Sequence, residues 1–329
     1  MTSSRDVALR AGVSRSTVSQ ILNGHGHRFT PETVARVTAA AEGLGYRPSA
    51  AARTLARGTS DLVITLVPNI TFGPRLREFL DVLTRELEQE GYTNLIRVAT
   101  TTESLKDAIL ELRPRAVVSL APLENTDRAR LERHGVLVVE QPSALQKHID
   151  VAIGQQQAKH LASRGYQMIA VAVPIDVREH RFAPPRTSGV HEWSLNNRLQ
   201  ILPSLHVDLS QGSPIETVRN LPGGAIGVAA YNDEMALAIL SSAQQLKLNV
   251  PEDLGIIGVD NSILARITTP TITTIDFDLE FSARQIFLAI VDSGPELQGS
   301  AATEVEARLR VIQGGSTARA GIDEPPVPS

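Results

Sequence analysis

From Asp61 onward, short apolar runs alternate with amphipathic stretches of helical period. Short apolar runs bounded by turn residues are typical of buried strands, and strands that alternate with helices build parallel sheets covered by helices on both faces. We therefore predict an α/β body with parallel sheets. The predicted strands are residues 62–67, 93–98, 116–120, 136–139, 168–173, 225–229, 255–259 and 271–276, with helices at 76–90 and 155–164.

The composition excludes several classes of protein. The 329 residues are 42% hydrophobic, which is enough to bury the cores of two or three domains. The absence of cysteine excludes disulfide scaffolds, thiol nucleophiles and thiolate metal sites. No apolar run reaches the roughly 18 to 20 residues of a membrane helix, and residues 1–20 lack the apolar core of a secretory signal. We predict a cytoplasmic protein with no membrane partner, no metal site and no cofactor.

The charge is divided unevenly along the chain. Residues 1–58 contain eight arginines and three acidic residues, a balance of +5, which leaves −9 for the remaining residues because the total is -4. A basic module on an acidic body is typical of a protein that contacts nucleic acid with one end, since phosphate contacts supply most sequence-independent affinity. A solvated helical face would have the same charge, so the pattern of residues has to distinguish the two.

The basic module contains the start and stop signals of three short helices. Serine and threonine cap helix N-termini, and glycine commonly ends a helix. The capping residues are, in chain order, Ser3 or Ser4, Ser14 and Thr30, and the terminating residues are Gly12, Asn23-Gly24 and Gly45. In the second helix, Val18, Ile21 and Leu22 fall on one face and are expected to be buried.

Two short helices joined by a tight turn at Gly12 form a helix-turn-helix, whose second helix lies in the major groove of DNA. Arginine can pair with guanine and glutamine with adenine through two hydrogen bonds, and serine can bond to either base or to a phosphate. Helical hairpins share this geometry by chance, so the pattern alone is a weak signal. The residues predicted to read bases are Arg15, Ser16, Ser19 and Gln20.

The residues themselves make the signal specific. The matching segments are Asp6-Val7-Ala8, Ala11 through Ser19, Ile21-Leu22-Asn23-Gly24, Thr30-Pro31-Glu32-Thr33, Leu44-Gly45-Tyr46-Arg47-Pro48 and Ala50 through Leu55. In this order and spacing they closely resemble the headpiece of the lactose-repressor (LacI/GalR) family of bacterial transcription regulators. The resemblance implies a homodimer that binds double-stranded operator DNA, and the rest of the chain resembles the family more loosely.

The resemblance also implies a domain organisation. The headpiece would span residues 1–48, a hinge helix 49–58, and an effector-binding and dimerisation domain of the periplasmic-binding-protein type 59–315. Within that domain, two Rossmann-like subdomains would be joined by three crossovers. Their predicted bounds are 59–148 with 278–300, and 149–276 with 301–315. The Pro-rich polar residues 316–329 are predicted to be a disordered tail.

In the family, the hinge helix forms on the operator and inserts a leucine into the minor groove, and Leu55 occupies that position here. An apolar side chain can unstack a base step and kink the duplex. The alternative is a plain alanine-rich linker with Leu55 packed on the body. Other predicted contacts to the DNA backbone or hinge are Arg5, Thr17, Asn23, His25 and Arg53.

Three residues of the second subdomain match effector-binding positions of the family: Arg186, Asn232 and Asp260. Each follows or faces a predicted strand end, where open sheets bind ligands. The alternative is that Asn232 and Asp233 cap a helix and Asp260 satisfies a turn, and both descriptions can hold together. Arg75 lies where the family often has an aromatic residue. Two arginines in one cleft predict an anionic effector, such as a sugar phosphate or sugar acid.

The sequence therefore predicts a sequence-specific, dimeric transcription regulator, a repressor controlled by a small sugar-like effector, and not an enzyme. One alternative is a regulator whose pocket has degenerated and that binds DNA constitutively or under control of a protein partner. Another is an enzyme or solute-binding protein on the same fold. The sequence contains no nucleophile elbow and no histidine pair at metal-binding spacing, which argues against an enzyme.

Overall fold

The structure is a computed structural model of the chain. It describes residues 2–46, 54, 58–68, 74–99, 107–120, 123–140, 143–176, 182–292 and 307–317. These residues form an N-terminal group of three helices, the headpiece, and an α/β body. Among them, no helix combines the length and the apolar character needed to cross a membrane.

The headpiece consists of α1 (Ser4–Ala11), α2 (Arg15–Gln20) and α3 (Pro31–Gly43). The predicted caps are present: Ser14 Oγ accepts the N–H of Thr17 at 3.0 Å, and Thr30 Oγ1 accepts that of Thr33 at 3.3 Å. Gly12 has a left-handed φ of 67°, a conformation that glycine adopts without steric cost, and it ends α1. The tight turn between α1 and α2 therefore depends on this glycine.

The headpiece has its own hydrophobic core. Val7, Val18 and Val37, one from each helix, are completely buried, and alanines of α1 and α3 fill the space between them. The small side chains let three short helices approach closely, so the core forms without any residue of the body.

The second helix ends earlier than the sequence predicts. Regular α-helix stops at Gln20, and the chain continues as a π-helical turn over Ile21–His25 and a 3-10 turn over Gly26–Arg28. Ile21 is nevertheless buried, as predicted, and Leu22 is half-buried. The wider turn keeps these apolar residues on the core.

The body of the described chain contains two sheets. The first has four parallel strands in the order β2–β1–β3–β4. Its elements are β1 (Leu62–Pro68), α4 (Pro74–Gln89), β2 (Thr93–Ala99), α5 (Asp107–Glu111), β3 (Ala116–Ser119), α6 (Asn125–Arg133) and β4 (Leu137–Glu140).

The second sheet has seven strands in the described residues, in the order β11–β10–β9–β8–β5–β6, with β7 also paired to β5. All pairs are parallel except β10 with β11. Its elements are α7 (Ser143–Ser163), β5 (Met168–Pro174), α8 (Ala183–Asn196), β6 (Gln200–Ile201), β7 (Leu205–Val207), α9 (Ile215–Arg219), β8 (Ile226–Ala230), α10 (Asp233–Gln245), β9 (Leu254–Val259), α11 (Ile263–Ile267), β10 (Thr273–Asp276), α12 (Leu279–Val291) and β11 (Arg310–Ile312).

The predicted α/β class with parallel sheets is confirmed, and each of the eight predicted strands is present within a few residues of its expected bounds. Three strands were missed, β6, β7 and β11, because two or three residues are too few to show a period of apolar residues. Helix α7 begins at Ser143, well before the predicted start at 155. It packs against both helix α8 and strands β8 and β9, so its apolar residues form no single stripe that the sequence would show.

The chain passes between the two sheets more than once. After β10 of the second sheet, α12 packs beside α4 on the first sheet, where Ala283, Ile286 and Ile290 join the core formed by Val63 and Val118. The chain then returns, because β11 pairs with β10. The first sheet is therefore covered by a helix that is distant in sequence, and the second sheet includes a strand that is distant in sequence.

The predicted disordered tail, residues 316–329, begins two residues too early, because its first two residues are part of the fold. Ser316 and Thr317 are completely buried. Ser316 Oγ donates to the carbonyl of Ile256 at 2.6 Å, and Thr317 Oγ1 lies 2.7 Å from Thr273 Oγ1 and 2.9 Å from His160 Nε2. Burial lowers the pKa of His160 to about 4, so the imidazole is neutral at physiological pH. Hydroxyl groups that satisfy buried polar partners hold this segment in the fold, which composition alone could not predict. Residues 318–329 lie outside the described chain.

Two glycines let α7 and α8 cross at backbone contact. A Cβ atom at Gly154 would lie 2.0 Å from the carbonyl oxygen of Arg186, and a Cβ at Gly189 would lie 2.0 Å from that of Val151. Each glycine thus faces the main chain of the other helix. The separation of the two helices is set by this crossing, and any larger residue would force them apart.

We expect Gly154→Ala or Gly189→Ala to lower the free energy of unfolding by about 3 kcal/mol, because the new methyl group meets backbone that cannot move aside without separating the helices. Urea unfolding followed by circular dichroism measures the loss. Gly223→Ala is the control, since its Cβ would meet nothing within 4 Å. A Gly154→Ala variant as stable as the control would contradict this account of the crossing.

Candidate functional site

The first functional surface is the outer face of α2. Arg15, Ser16 and Ser19 are exposed and Gln20 is half-buried, whereas Val18 on the opposite face is completely buried. The cap at Ser14 also reaches the side chains of Ser16 and Thr17, at 2.7 and 2.8 Å. The four residues predicted to read bases therefore belong to a helix whose inner face is fixed by the core.

The headpiece also presents basic side chains to solvent. All the arginines of the described headpiece are exposed: Arg5, Arg10, Arg15, Arg28 and Arg36. Thr17 is half-buried and bonded to the cap, so its hydroxyl is partly engaged. Asn23 and His25 lie in the π-helical turn, and their side chains are outside the described atoms. Arg53 and Leu55 lie outside the described residues, so their predicted roles stay predictions.

The second functional region is the carboxyl edge of the second sheet. Asn232 follows β8, and its Oδ1 accepts the N–H of Met235 at 2.9 Å, so it caps α10. Asp260 follows β9 with a φ of 103°, and Asn261 follows with a φ of 48°. Two consecutive non-glycine residues in left-handed conformations are uncommon and concentrate at functional loops. The loop 260–261 therefore has a conformation that the surrounding structure must impose.

Arg186 lies in the first turns of α8 and reaches the same edge. Its Nη2 donates to Asp150 Oδ1 at 2.7 Å, its Nη1 donates to the carbonyl of Tyr231, and its guanidinium lies 4.7 Å from the Tyr231 ring centre. The Asp150 side chain is only 1% exposed. Burial alone would lower the pKa of the guanidinium. The charges of Asp150 and Asp260, with Tyr231, overcome that effect and raise the pKa of the group.

Asp233, the first residue of α10, supports the loop that carries Asp260. Its Oδ2 accepts the N–H of Ser262 at 2.6 Å, and its Oδ1 accepts the hydroxyl of Thr274 at 2.6 Å. Ser262 in turn caps α11 by accepting the N–H of Ala265. One buried carboxylate thus joins α10, α11 and strand β10 around the left-handed loop.

The environment of Asp233 changes its acidity. Burial raises its pKa to about 6, although the hydrogen bonds from Thr274 and Ser262 act in the opposite direction. Gly258 makes room for the carboxylate, because a Cβ at that position would lie 2.2 Å from Asp233 Oδ1. In a sequence, an acidic residue next to a helix N-cap ordinarily indicates only a favourable interaction with the helix dipole. The sequence therefore did not reveal that Asp233 is buried and hydrogen-bonded to other elements.

The structure brings together Arg186, Asp260 and Asn232 on one edge, where Asn232 is engaged as a cap, and their effector-binding role stays a prediction. Sequence reasoning missed Asp150, the partner of Arg186, because an acid within α7 has no local signal. Arg75 lies in the first turn of α4, but its side chain is outside the described atoms. Its place in the cleft stays a prediction. In the described residues, no group of three acidic, histidine or cysteine side chains is arranged to hold a metal ion.

Comparisons with known proteins agree with this architecture. Residues 4–49 match the family described as "Bacterial regulatory proteins, lacI family", and residues 158–317 match "Periplasmic binding protein-like domain". The HTH-type transcriptional repressor PurR of Aliivibrio salmonicida (strain LFI1238) is 30% identical over 298 residues, which cover 84% of this chain and 87% of PurR. The HTH-type transcriptional regulator AscG of Escherichia coli (strain K12) is 26% identical over 88% of this chain and 92% of AscG.

Solved structures share the fold. The Lac repressor dimer bound to operator and the anti-inducer ONPF has a TM-score of 0.77 at 20% identity, and the match covers 97% of this chain and 99% of that one. A helix-turn-helix headpiece on a periplasmic-binding-protein-like body defines a DNA-binding transcription regulator. This chain belongs to the LacI family of bacterial regulatory proteins, and the family predicted from the headpiece residues is confirmed.

The buried carboxyl of Asp233 predicts a dependence of stability on pH. Since its pKa in the folded protein is about 6, against the usual 3.8, the protonated carboxyl stabilises the fold at low pH. This contribution is lost as the pH rises through about 6. Asp233→Asn keeps one acceptor and one donor but cannot titrate. The stability of the wild type relative to Asp233→Asn should therefore fall by about 2 to 3 kcal/mol between pH 4 and pH 7.5.

Urea unfolding at the two pH values tests this expectation, and Glu252→Gln, which removes an exposed carboxylate, is the control. Parallel pH dependence in the wild type and in Asp233→Asn would show that Asp233 does not carry the raised pKa.

Proposed function

We propose that this LacI-family regulator acts as a homodimeric repressor that reads a palindromic operator with the exposed face of α2. The observation that carries the proposal is the division of α2 into an exposed polar face, with Arg15 and Ser16, and a buried face at Val18. A rigid helix with long and short donors at its N-terminus fits the major groove, where base pairs present distinct hydrogen-bonding edges.

The remaining predicted contacts would position the headpiece. Arg5 on α1 is exposed and available to phosphates, which fix register and orientation but carry no sequence information directly. We propose the same positioning role for Thr17, Asn23, His25 and Arg53. Leu55 is proposed as the side chain that enters the minor groove and kinks the centre of the operator.

A dimer is proposed because one helix-turn-helix reads only a half-site. Helix α11 supports self-association: Ile263 is 70% exposed and Ile267, one turn further on the same face, is 71% exposed. Leu264 between them is also exposed. A row of large exposed aliphatic side chains is typical of an interface that is covered in the functional assembly. We propose that a second copy of the chain covers it.

The proposed effector is a sugar or sugar derivative bound at the edge formed by Arg186 and Asp260. Relatives of the same fold support this class: one solved structure is a CelR–cellobiose complex, with a TM-score of 0.57 at 20% identity. The anionic effector predicted from the sequence needed the positive charges of Arg186 and Arg75. Because Asp150 neutralises Arg186, the pair in the described residues favours an uncharged ligand.

A second candidate is a regulator whose pocket no longer binds effector and that binds DNA constitutively or under the control of a protein partner. The observation that favours it is that Arg186 is already bonded to Asp150 and Tyr231. Screening metabolites for release of the bound operator distinguishes the two candidates. The relatives are transcription regulators, so we further propose that the chain acts in the cytoplasm and has no enzymatic activity.

Base recognition is tested by selecting bound sequences from a random DNA pool and then measuring the variants Arg15→Ala and Gln20→Ala. Each should lose about 1 to 3 kcal/mol of binding free energy at one base position per half-site, because a two-hydrogen-bond contact to a base is removed. Arg36→Ala removes the same charge from α3 and is expected to leave base preferences unchanged. Equal losses by Arg15→Ala on all sequences would mean that Arg15 contacts only phosphate.

The proposed dimer surface is tested with the double variant Ile263→Ser/Ile267→Ser. Two polar residues in the interface would leave hydroxyl groups unpaired and remove buried apolar area, so the variant should sediment as a monomer at concentrations where the wild type is a dimer. Leu195→Ser, at a position that is 66% exposed on α8, is the control. A double variant that remains dimeric would remove α11 from the interface.

A further inference from the structure

The pair formed by Arg186 and Asp150 is the most completely built polar contact in the proposed ligand site. Asp150 Oδ1 accepts from Arg186 Nη2 at 2.7 Å, and Asp150 Oδ2 accepts from Gln146 Nε2 at 2.8 Å. Both oxygens of the carboxylate are therefore engaged. A buried carboxylate with partners on both oxygens is held in place, and Asp150 balances the charge of the guanidinium beside it.

The guanidinium of Arg186 is only partly satisfied. It has five N–H donors, and within the described residues it donates through Nη2 to Asp150 and through Nη1 to the Tyr231 carbonyl. Its Nε is buried and has no hydrogen-bond partner in the described chain. Buried donors are seldom left unpaired, and an unpaired one at a site of this kind points to a missing acceptor. Arg186 thus has an open donor but no uncompensated charge.

The geometry of this pair is imposed by the backbone. Asp150 lies one helical turn before Gly154, and a Cβ at Gly154 would lie 2.0 Å from the carbonyl oxygen of Arg186 itself. Gly189, less than one turn after Arg186, makes the reciprocal contact with Val151. Since the two helices touch at main-chain level beside the pair, the backbones that carry Asp150 and Arg186 cannot separate without breaking the crossing.

We infer that Asp150 is a specificity-determining residue: by neutralising Arg186 in a fixed geometry, it excludes anions from the site and leaves the Nε donor for an uncharged oxygen acceptor. This inference rests on the proposed ligand site. An anion that approached Arg186 would meet the negative charges of Asp150 and Asp260. A hydroxyl or carbonyl oxygen would accept the same hydrogen bond without that repulsion.

The inference is tested with inorganic phosphate as the probe, because phosphate needs only an accessible positive group. Binding is measured in a phosphate-free buffer by titration of phosphate against chloride at constant ionic strength, with two readouts. One readout is the fluorescence of Trp193, the single tryptophan of the chain, on the same helix as Arg186. The other is the thermal midpoint, which rises when a ligand binds only the folded state.

Asp150→Asn removes the charge and keeps the shape of the side chain. We expect the wild type to show no saturable binding of phosphate, and Asp150→Asn to bind it with an affinity at least about tenfold higher than the wild-type limit. The gain should disappear in Asp150→Asn/Arg186→Gln. The matched control is Glu216→Gln, which removes the partner of the exposed Arg219 on α9 and should create no phosphate site.

Two results would overturn the inference. One is saturable phosphate binding by the wild type that is lost in Arg186→Gln, since the native pair would then already admit anions. The other is a folded Asp150→Asn variant that gains no affinity. If that variant does not fold, Asp150→Ser serves the same purpose, and the wild-type measurement with Arg186→Gln remains decisive.

The phosphate measurement is independent of DNA binding. Failure to bind any sequence selected from a random pool would contradict the proposed regulatory function and leave the result on Asp150 unaffected. Conversely, if the wild type bound both an operator and phosphate, the proposed function would stand and the inference that Asp150 excludes anions would be wrong.

Discussion

The crossing of α7 and α8 at Gly154 and Gly189 is the constraint on which the proposed ligand site depends. A methyl group at either glycine would lie 2.0 Å from a carbonyl oxygen of the facing helix. Where two main chains touch in this way, movement of side chains cannot make room for an added methyl group, because protein interiors are packed at the density of organic crystals. Asp150 and Arg186 project from this crossing, so their pairing follows from the position of the two helix axes.

Two buried carboxylates have opposite electrostatic roles at the same edge of the second sheet. Asp150 has a guanidinium beside it and stabilises that positive charge. In the described part of the chain, the donors to Asp233 are the neutral groups of Ser262 and Thr274, and burial raises its pKa to about 6. The first balances the charge of Arg186 at the proposed ligand site, and the second holds the left-handed loop at Asp260 through its bond to Ser262. Because α11 also presents the exposed Ile263 and Ile267, one hydrogen-bonded loop connects the ligand edge with the proposed dimer surface.

The headpiece and the body are stabilised in different ways. The headpiece relies on a small core of valines and alanines with capped helices, and it keeps its arginines exposed. The body encloses much larger cores and is held together by segments distant in sequence, such as α12 on the first sheet and Ser316 and Thr317 against the second. A small autonomous basic module on a larger ligand-binding body fits a protein in which DNA recognition and ligand recognition occupy separate surfaces.

The sequence by itself determined the headpiece and the alternation of strands and helices, because caps, glycine stops and apolar periodicity are local signals. The order of residues from Asp6 to Leu55 also identified the family. Only the tertiary structure decided that Asp150 pairs with Arg186, that Asp233 is buried, and that Thr317 is bonded to His160 rather than part of a tail. These contacts join residues far apart in the chain, and they exist because helices α7 and α8 touch at two glycines and because strands from different segments share one sheet. No local pattern contains that information.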